Sequence, residues 1–331
     1  AYCELGAADK AERLLRQSFE TRRTHLGDDH LDTLRSGRYL SSALADQGFP
    51  DQALSSVEQL VKLSQARWGD NHETTLRLQA QLGHHLWKCG ELSEAHTMWR
   101  DTHRRALEHL GRKHELTLTV EANLVAWKNQ AEPSQEHLNE LQELVPILTE
   151  NLGATHPITL MTLRNAATSQ YLVGDYAGAH RSFEELLPAY ELLGGRDYPG
   201  YQSTQRSIVN CLRELGSVSE AICRAEELLE RQQAIYPPGH PAVLATVSEL
   251  GQCLIKEHRT GEAKDLFTQQ LEFAAESAFN TDGIEHQLQA NLAQLEIEQQ
   301  QYELAAQRLE TLLKSSSGDR AMIASNPVSY T

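Results

Sequence analysis

The sequence predicts an all-α array of about seven and a half repeated helix pairs, and three observations carry that prediction. The first is a period of 42 residues: an alanine recurs at Ala11, Ala53, Ala95, Ala179, Ala221, Ala263 and Ala305, with His137 filling the one gap. The second is a glycine five residues ahead of that alanine, at Gly6, Gly48, Gly90, Gly174 and Gly216. The third is a string in which a histidine (His30, His72, His114, His156, His240) recurs, followed in the first four cases by a Thr-Leu pair: Thr33-Leu34, Thr75-Leu76, Thr117-Leu118 and Thr159-Leu160. Self-similarity at one fixed period marks units that cannot bury their apolar face alone and must stack on one another.

Each period reads as two helices. Residues 1–25 form a half repeat that supplies only a second helix, near 8–25. Full repeats begin near 26, 68, 110, 152, 194, 236 and 279. Their first helices are expected at about 31–47, 73–89, 115–130, 157–173, 199–215, 241–257 and 283–299. The second helices follow at about 50–67, 92–109, 133–150, 176–192, 218–235, 260–278 and 301–314. In the repeat from 68, Leu76, Leu82 and Leu86 precede Gly90, which stops the helix because helices commonly end on a residue with positive φ. Ala95, Met98 and Trp99 then fall at helical spacing. Pro157, Pro199 and Pro241 stand at helix starts, where the missing N–H costs nothing.

Two repeats break the pattern. In the third, Glu132-Pro133 replaces the Gly turn and His137 the small alanine, so looser packing is expected. In the fifth, Gly194-Gly195-Arg196-Asp197-Tyr198-Pro199-Gly200-Tyr201 replaces the histidine string, and a local bend is expected. From Ser315 the periodicity fades, and 315–331 is expected to be a flexible tail. The chain opens partway through a repeat and without Met, which reads as an excised region of a longer protein.

Composition excludes several functions. A formal net charge of -16 argues against nucleic acid or an anionic membrane as partner, since both need concentrated positive charge. No apolar run approaches a membrane span and no signal peptide is visible. The five cysteines, Cys3, Cys89, Cys211, Cys223 and Cys253, are odd in number and lack a C-x-x-C spacing. Cys211 and Cys253 share a repeat position, about 10 Å apart for neighbouring packed helices, too far for a disulfide. Free, buried thiols in a reducing cytoplasm are the expectation.

The residues inside each repeat point to a family. Leu82-Gly83-x-x-Leu86 and Leu250-Gly251-x-x-Leu254 resemble the L-G-x-x-Y core of a tetratricopeptide (TPR) first helix. Ala95-x-x-x-Trp99, Ala179-x-x-x-Phe183 and Ala263-x-x-x-Phe267 resemble the A-x-x-x-F of its second helix, in which the small Ala lets the helices cross closely and the aromatic plugs the gap beside it. The period is about eight residues longer than the ordinary TPR unit. The extra length holds the string seen as Leu26-Gly27-Asp28-Asp29-His30-Leu31-Asp32-Thr33-Leu34 and as Leu152-Gly153-Ala154-Thr155-His156-Pro157-Ile158-Thr159-Leu160. This looks like the kinesin-light-chain type of TPR and covers essentially 1–314, which implies an α-α superhelix, the TPR solenoid. The family's Asn-Asn-Leu-Ala survives only in part, at Ala122-Asn123-Leu124-Val125, Arg164-Asn165-Ala166-Ala167 and Ala290-Asn291-Leu292-Ala293, which sets the chain apart from a true kinesin light chain.

That resemblance implies that the first helices line a concave face. Carried over one repeat at a time, the groove-facing residues are Arg35, Arg38 and Tyr39, then Arg77, Gln81, His84 and Lys88. Further on come Asn123, then Arg164, Asn165 and Thr168, then Arg206 and Asn210, and finally Asn291. Side-chain amides both donate and accept, which suits the backbone of an extended peptide. A basic stripe in so acidic a chain suits an acidic peptide or a free C-terminal carboxylate, because the guanidinium fork matches a carboxylate. The competing reading is that these arginines pair with acidic residues of neighbouring helices, at ~0–1 kcal/mol each.

Other residues carry less. The recurring histidines lack H-E-x-x-H or a Cys partner, so no metal is expected and hydrogen bonding at loops and helix starts is. His84 and His85, near Cys89, point about 100° apart on a helix. Trp99, Phe183 and Phe267 read as core plugs, whereas Trp87, Trp127 and Tyr171 are candidates for a ligand pocket. No G-x-S-x-G, phosphate-binding glycine loop or nucleophile-base pairing occurs, so neither catalytic residues nor a cofactor is expected. The function implied is a non-catalytic scaffold for a protein or peptide ligand. One alternative is the C-terminal sensor arm of a Ser/Thr kinase or NB-ARC-type NTPase, which such repeats follow in signalling proteins. A second is self-association, with the C-terminal tail around Ala321–Ile323 seated in a neighbour's groove.

Overall fold

A computed structural model describes residues 8–46, 49–131, 134–275 and 282–318. They form fifteen helices: α1 (Ala8–Leu26), α2 (Leu31–Asp46), α3 (Pro50–Trp68), α4 (Glu73–Lys88), α5 (Leu92–His109), α6 (Glu115–Ala131), α7 (Gln135–Leu152) and α8 (Pro157–Leu172), followed by α9 (Tyr176–Gly194), α10 (Pro199–Glu214), α11 (Val218–Ile235), α12 (Pro241–Lys256), α13 (Thr260–Ala275), α14 (Asp282–Glu298) and α15 (Tyr302–Gly318). No strand occurs among the described residues. Even-numbered helices are the first helices of the repeats and odd-numbered ones the second. Two compact units divide the chain, Ala1–Ser169 and Gln170–Thr331.

The histidine string explains how the first helices start. In His30, His72, His114 and His156 the imidazole Nδ1 accepts the backbone N–H two residues on, at 3.2, 3.2, 3.2 and 3.3 Å. His240 does the same at 3.1 Å. Each ring therefore satisfies one of the amides left open at a helix N-terminus, as Ser or Asp would. Tyr198 stands in the fifth position and makes no side-chain cap. Its ring stacks on Tyr190, with centroids 5.8 Å apart, while its backbone N–H keeps the usual bond to the Gly195 carbonyl at 3.2 Å.

The turn from first to second helix needs a left-handed residue. Gly90, Gly174 and Gly216 supply it with φ of 85, 87 and 84°. At the same register the next two repeats put His258 (φ 62°) and Gln300 (φ 59°) there. A side chain in that conformation costs roughly 1–2 kcal/mol relative to glycine.

The period maps onto the core. Ala53, Ala95, Ala179, Ala221 and Ala263 are fully buried, as are Thr33, Leu34, Thr75, Leu76, Thr117 and Leu118. Trp99 and Phe267 lie directly on glycines of the preceding helix: a Cβ at Gly83 would overlap the Trp99 indole, and one at Gly251 the Phe267 ring. The Trp99 indole N–H also donates to the Ala80 carbonyl at 2.9 Å. Where the first helix instead carries Val209, the facing register of the second carries Ala225, and both are buried. In these repeats bulk is thus exchanged between the two helices of a pair, whereas the third repeat keeps Val125 and Leu141 at both positions.

Repeat three differs as its sequence suggests. Glu132 and Pro133 lie outside the described residues. Ser134 caps α7 by accepting from the His137 N–H at 3.3 Å, and His137 is half-exposed. Leu138, Leu141, Leu144 and Leu148 fill the core there with Val125. Residues 1–7, with Cys3 and Gly6, also lie outside the described set, as do Gly48 and 319–331 with Ala321–Ile323. The expected tail begins inside α15, which runs to Gly318. Among the described residues no helix is long and apolar enough to cross a membrane.

The cysteine expectation needs one correction. Cys211 and Cys253 are buried, and burial pushes their thiols up to about 12 and about 11. Cys89 is only partly buried and Cys223 is exposed, because it lies on the outer side of α11 rather than at the helix-pair seam.

Candidate tetratricopeptide groove

The candidate site is built from first helices, and their mutual packing decides which side chains remain available. In the first unit, α2 and α4 are joined through Gln81. The two N–H groups of its amide Nε2 are shared among the Arg38 carbonyl at 2.9 Å, Ser41 Oγ at 2.8 Å and Ser42 Oγ at 2.9 Å. His85, in a position that is otherwise core, meets Ser41 Oγ at 3.3 Å. Its burial holds the imidazole down at about 4. His84 points to the groove side against Trp87, with ring centroids 5.7 Å apart, and burial beside Lys88 lowers it to about 3.

Arg77 lies between two carboxylates. Its guanidinium reaches Glu73 on α4 at 2.8 Å and Glu115 on α6 at 3.0 Å. The bond from Arg77 holds Glu115 below the usual carboxylate range. Arg38 has no such partner: among the described residues no carboxylate comes within ion-pairing distance of it or of exposed Arg35. The Arg38 guanidinium lies 4.6 Å from the Tyr39 ring centroid, a cation–π arrangement. Burial lowers its pKa, Tyr39 opposes that shift, and the charges of Arg77 and Arg35 add to it. Asn123, Arg164, Asn165 and Thr168 lie half-buried on α6 and α8, and Lys88 is exposed at the end of α4. The Thr168 hydroxyl is spent on the Arg164 carbonyl at 3.0 Å.

The second unit repeats the bracing. Arg213 on α10 bonds Glu249 at 3.2 Å and Gln252 at 2.5 Å on α12, and Glu214 at 3.1 Å on its own helix. Lys256 Nζ donates to the Arg213 carbonyl at 2.6 Å. Asn291 Nδ2 donates to Ser248 Oγ at 3.5 Å, and its Oδ1 accepts from Gln287 at 3.1 Å. Arg206 and Asn210 are buried on α10, at 9% and 3% exposure, and Asn210 Oδ1 has no hydrogen-bond partner.

The expected site residues therefore separate into groups. Arg35, Arg38, Tyr39, Arg77, Gln81, His84 and Lys88 come together on α2 and α4. Gln81 and Asn291 face the adjacent first helix rather than open solvent, because residues about one period apart meet across that seam. Arg206 and Asn210 are inside the fold. Of the aromatics, Trp99, Phe183 and Phe267 are core plugs. Trp127 stacks on His96 at 4.0 Å, and Tyr171 packs on Tyr176 at 5.1 Å, burial pushing its hydroxyl up to about 12. Arg213 was missed in the sequence, although it occupies the same register as Trp87 and Tyr171. Among the described residues no three His, Cys, Asp or Glu side chains are grouped to hold a metal.

The tetratricopeptide repeat family model matches residues 1–32, the stretch holding α1 and the start of α2. The same residue pattern then recurs at each 42-residue step on the helix pairs described above. Over that stretch the chain matches a tetratricopeptide repeat, and the helix pairs that follow resemble it. Its TPR units resemble the long, kinesin-light-chain type in length and in their histidine string. Several solved structures share the TPR fold. NprR in complex with its cognate peptide NprX is 14% identical, over 95% of this chain and 86% of its own, with a TM-score of 0.62. A Rap protein complexed with competence and sporulation factor is 14% identical over 86% of this chain and 77% of its own, with a TM-score of 0.61. A tetratricopeptide repeat protein from Parabacteroides merdae is 13% identical over 88% of this chain and 94% of its own, with a TM-score of 0.50. At these identities the likeness is one of fold alone. No curated protein sequence matches the chain.

Proposed function

We propose that this TPR scaffold binds an extended acidic peptide, or a peptide with a free C-terminal carboxylate, along its first helices, without catalysing a reaction. The observation that carries the reading is the arginine cluster on α2 and α4. In a chain of net charge -16, Arg35 and Arg38 stand together without a carboxylate partner among the described residues, beside Arg77. A desolvated guanidinium that lacks an anion among the described residues suits one from outside. NprR, whose fold is similar, was solved with its cognate peptide NprX, and the similar Rap protein with competence and sporulation factor, which is consistent with this use of the fold.

The test is selection from a random peptide library with the full chain and with the charge-reversed variant Arg35→Glu/Arg38→Glu. Enrichment of Asp, Glu or free C-termini by the parent, and its loss in the variant at unchanged helicity and melting, is the expected result. Undiminished capture by the variant would move binding to another surface. The buried Arg206 is unsuitable for this purpose, because reversing its charge would disturb α10 itself.

A further inference from the structure

Resting on the peptide-binding reading, we infer that the Arg35–Arg38–Arg77 cluster takes a phosphate monoester carried on a peptide side chain, in preference to a carboxylate. The argument is one of unpaired donors and placement. Glu73 and Glu115 are both engaged with Arg77. Arg35 and Arg38 have no ion-pair partner among the described residues. A carboxylate would offer this pair of guanidinium forks only two acceptor oxygens. A phosphate ester carries about -1.5 to -2 at neutral pH and offers three acceptor oxygens, which matches the pair.

The placement is also fixed. Arg35 and Arg38 are three residues apart and so share one face of α2. Arg77 stands 42 residues beyond Arg35, at the same register of the next first helix. The Gln81 amide ties α2 to α4 at the Arg38 carbonyl, 2.9 Å away, so the spacing between the Arg35–Arg38 pair and Arg77 does not have to form on binding. The Tyr39 ring supports the plane of the Arg38 guanidinium. A planar fork held in this way is the usual arrangement for gripping phosphate oxygens. Tying the two helices together in advance lowers the ordering cost of binding.

Isothermal titration with the full chain tests this, using the probe Gly-Glu-Glu-Gly-X-Gly-Glu-Glu-Gly with X as phosphoserine, glutamate or serine. The phosphoserine probe is expected to bind about tenfold more tightly than the glutamate probe. That advantage should shrink to within about twofold in Arg35→Gln and in Arg38→Gln. Arg35 is exposed, so its variant keeps the fold even if the half-buried Arg38 variant loses it. Equal affinity for the phosphoserine and glutamate probes, both above serine, would overturn this inference and leave the acidic-peptide reading standing. Affinity that is the same for all three would overturn both. Displacement of the phosphoserine probe by an equal concentration of inorganic phosphate would assign the cluster to free phosphate instead of a peptide.

Discussion

The exchange of bulk between the helices of a pair can be tested by moving it. Gly251 on α12 lies under Phe267 on α13, and a Cβ on Gly251 would fall within the ring. One period earlier the same two positions hold Val209 and Ala225. The prediction is that Gly251→Val and Phe267→Ala are each severe alone and largely compensate together. Overpacking by valine should cost about 1–3 kcal/mol. Deleting the fully buried phenyl ring should cost about 3–5 kcal/mol through lost burial and a cavity. In the double variant the valine side chain enters that cavity, and its three carbons return roughly 2 kcal/mol at about 0.8 per buried carbon. The overlap also disappears, so the double variant should be about 2–3 kcal/mol more stable than the sum of the single losses. Urea unfolding of the full chain, followed by far-UV circular dichroism, gives all four corners of the cycle. Additivity within about 0.5 kcal/mol would refute the claim that the two positions share one volume.

Three further outcomes follow from named positions. Replacing His258 or Gln300 by glycine should raise stability by about 1 kcal/mol each, because both occupy the left-handed turn position that glycine fills in Gly90, Gly174 and Gly216; thermal melts of the single variants check it. Ser64→Ala should cost about 1–3 kcal/mol by orphaning the buried Thr75 hydroxyl, now 2.7 Å from Ser64 Oγ, whereas Thr117→Val removes a hydroxyl that already lacks a partner and should be neutral or better. Val243, at the same register, is already buried in that environment. Burial lowers the imidazole of His240 from 6.5 to about 4. A lowered His favours the neutral folded form, so its contribution is complete above 6.5 and is lost as the pH falls towards 4. His240→Asn can cap without titrating, and its melting temperature should fall less between pH 7 and pH 4.5 than that of the parent; parallel acid profiles would remove His240 as the cause.

The helix pairs were legible because one period repeats the same physical demands: a small residue at the crossing, an aromatic or its substitute beside it, and a left-handed turn. The capping role of the histidines was legible only as a position, since nothing in Leu-Gly-x-x-His says that Nδ1 will accept an amide. The groove was read less well. Residues such as Gln81 and Asn291 are polar and regularly spaced, which suits a ligand, yet in a stack the same spacing puts them against the next first helix. Polarity patterns cannot separate those uses, because both need an amide at one register. Arg206 and Asn210 show the same limit. Side chains long or polar enough to suggest a surface are enclosed on α10, where the Gly-Tyr-Gln-Ser-Thr segment packs more closely than the histidine string of other repeats.

The paired positions also bear on how such a chain can be copied and rearranged. A duplicated segment cut in the loops carrying Gly69 and Gly111 brings Gly83 along with its own aromatic, Trp99. A crossover inside a repeat would join Val209 to Phe267, or Gly251 to Ala225, giving an overfilled or hollow seam. Sequence change at these two registers is therefore coupled, and the heritable module of the array is the intact helix pair rather than the single helix.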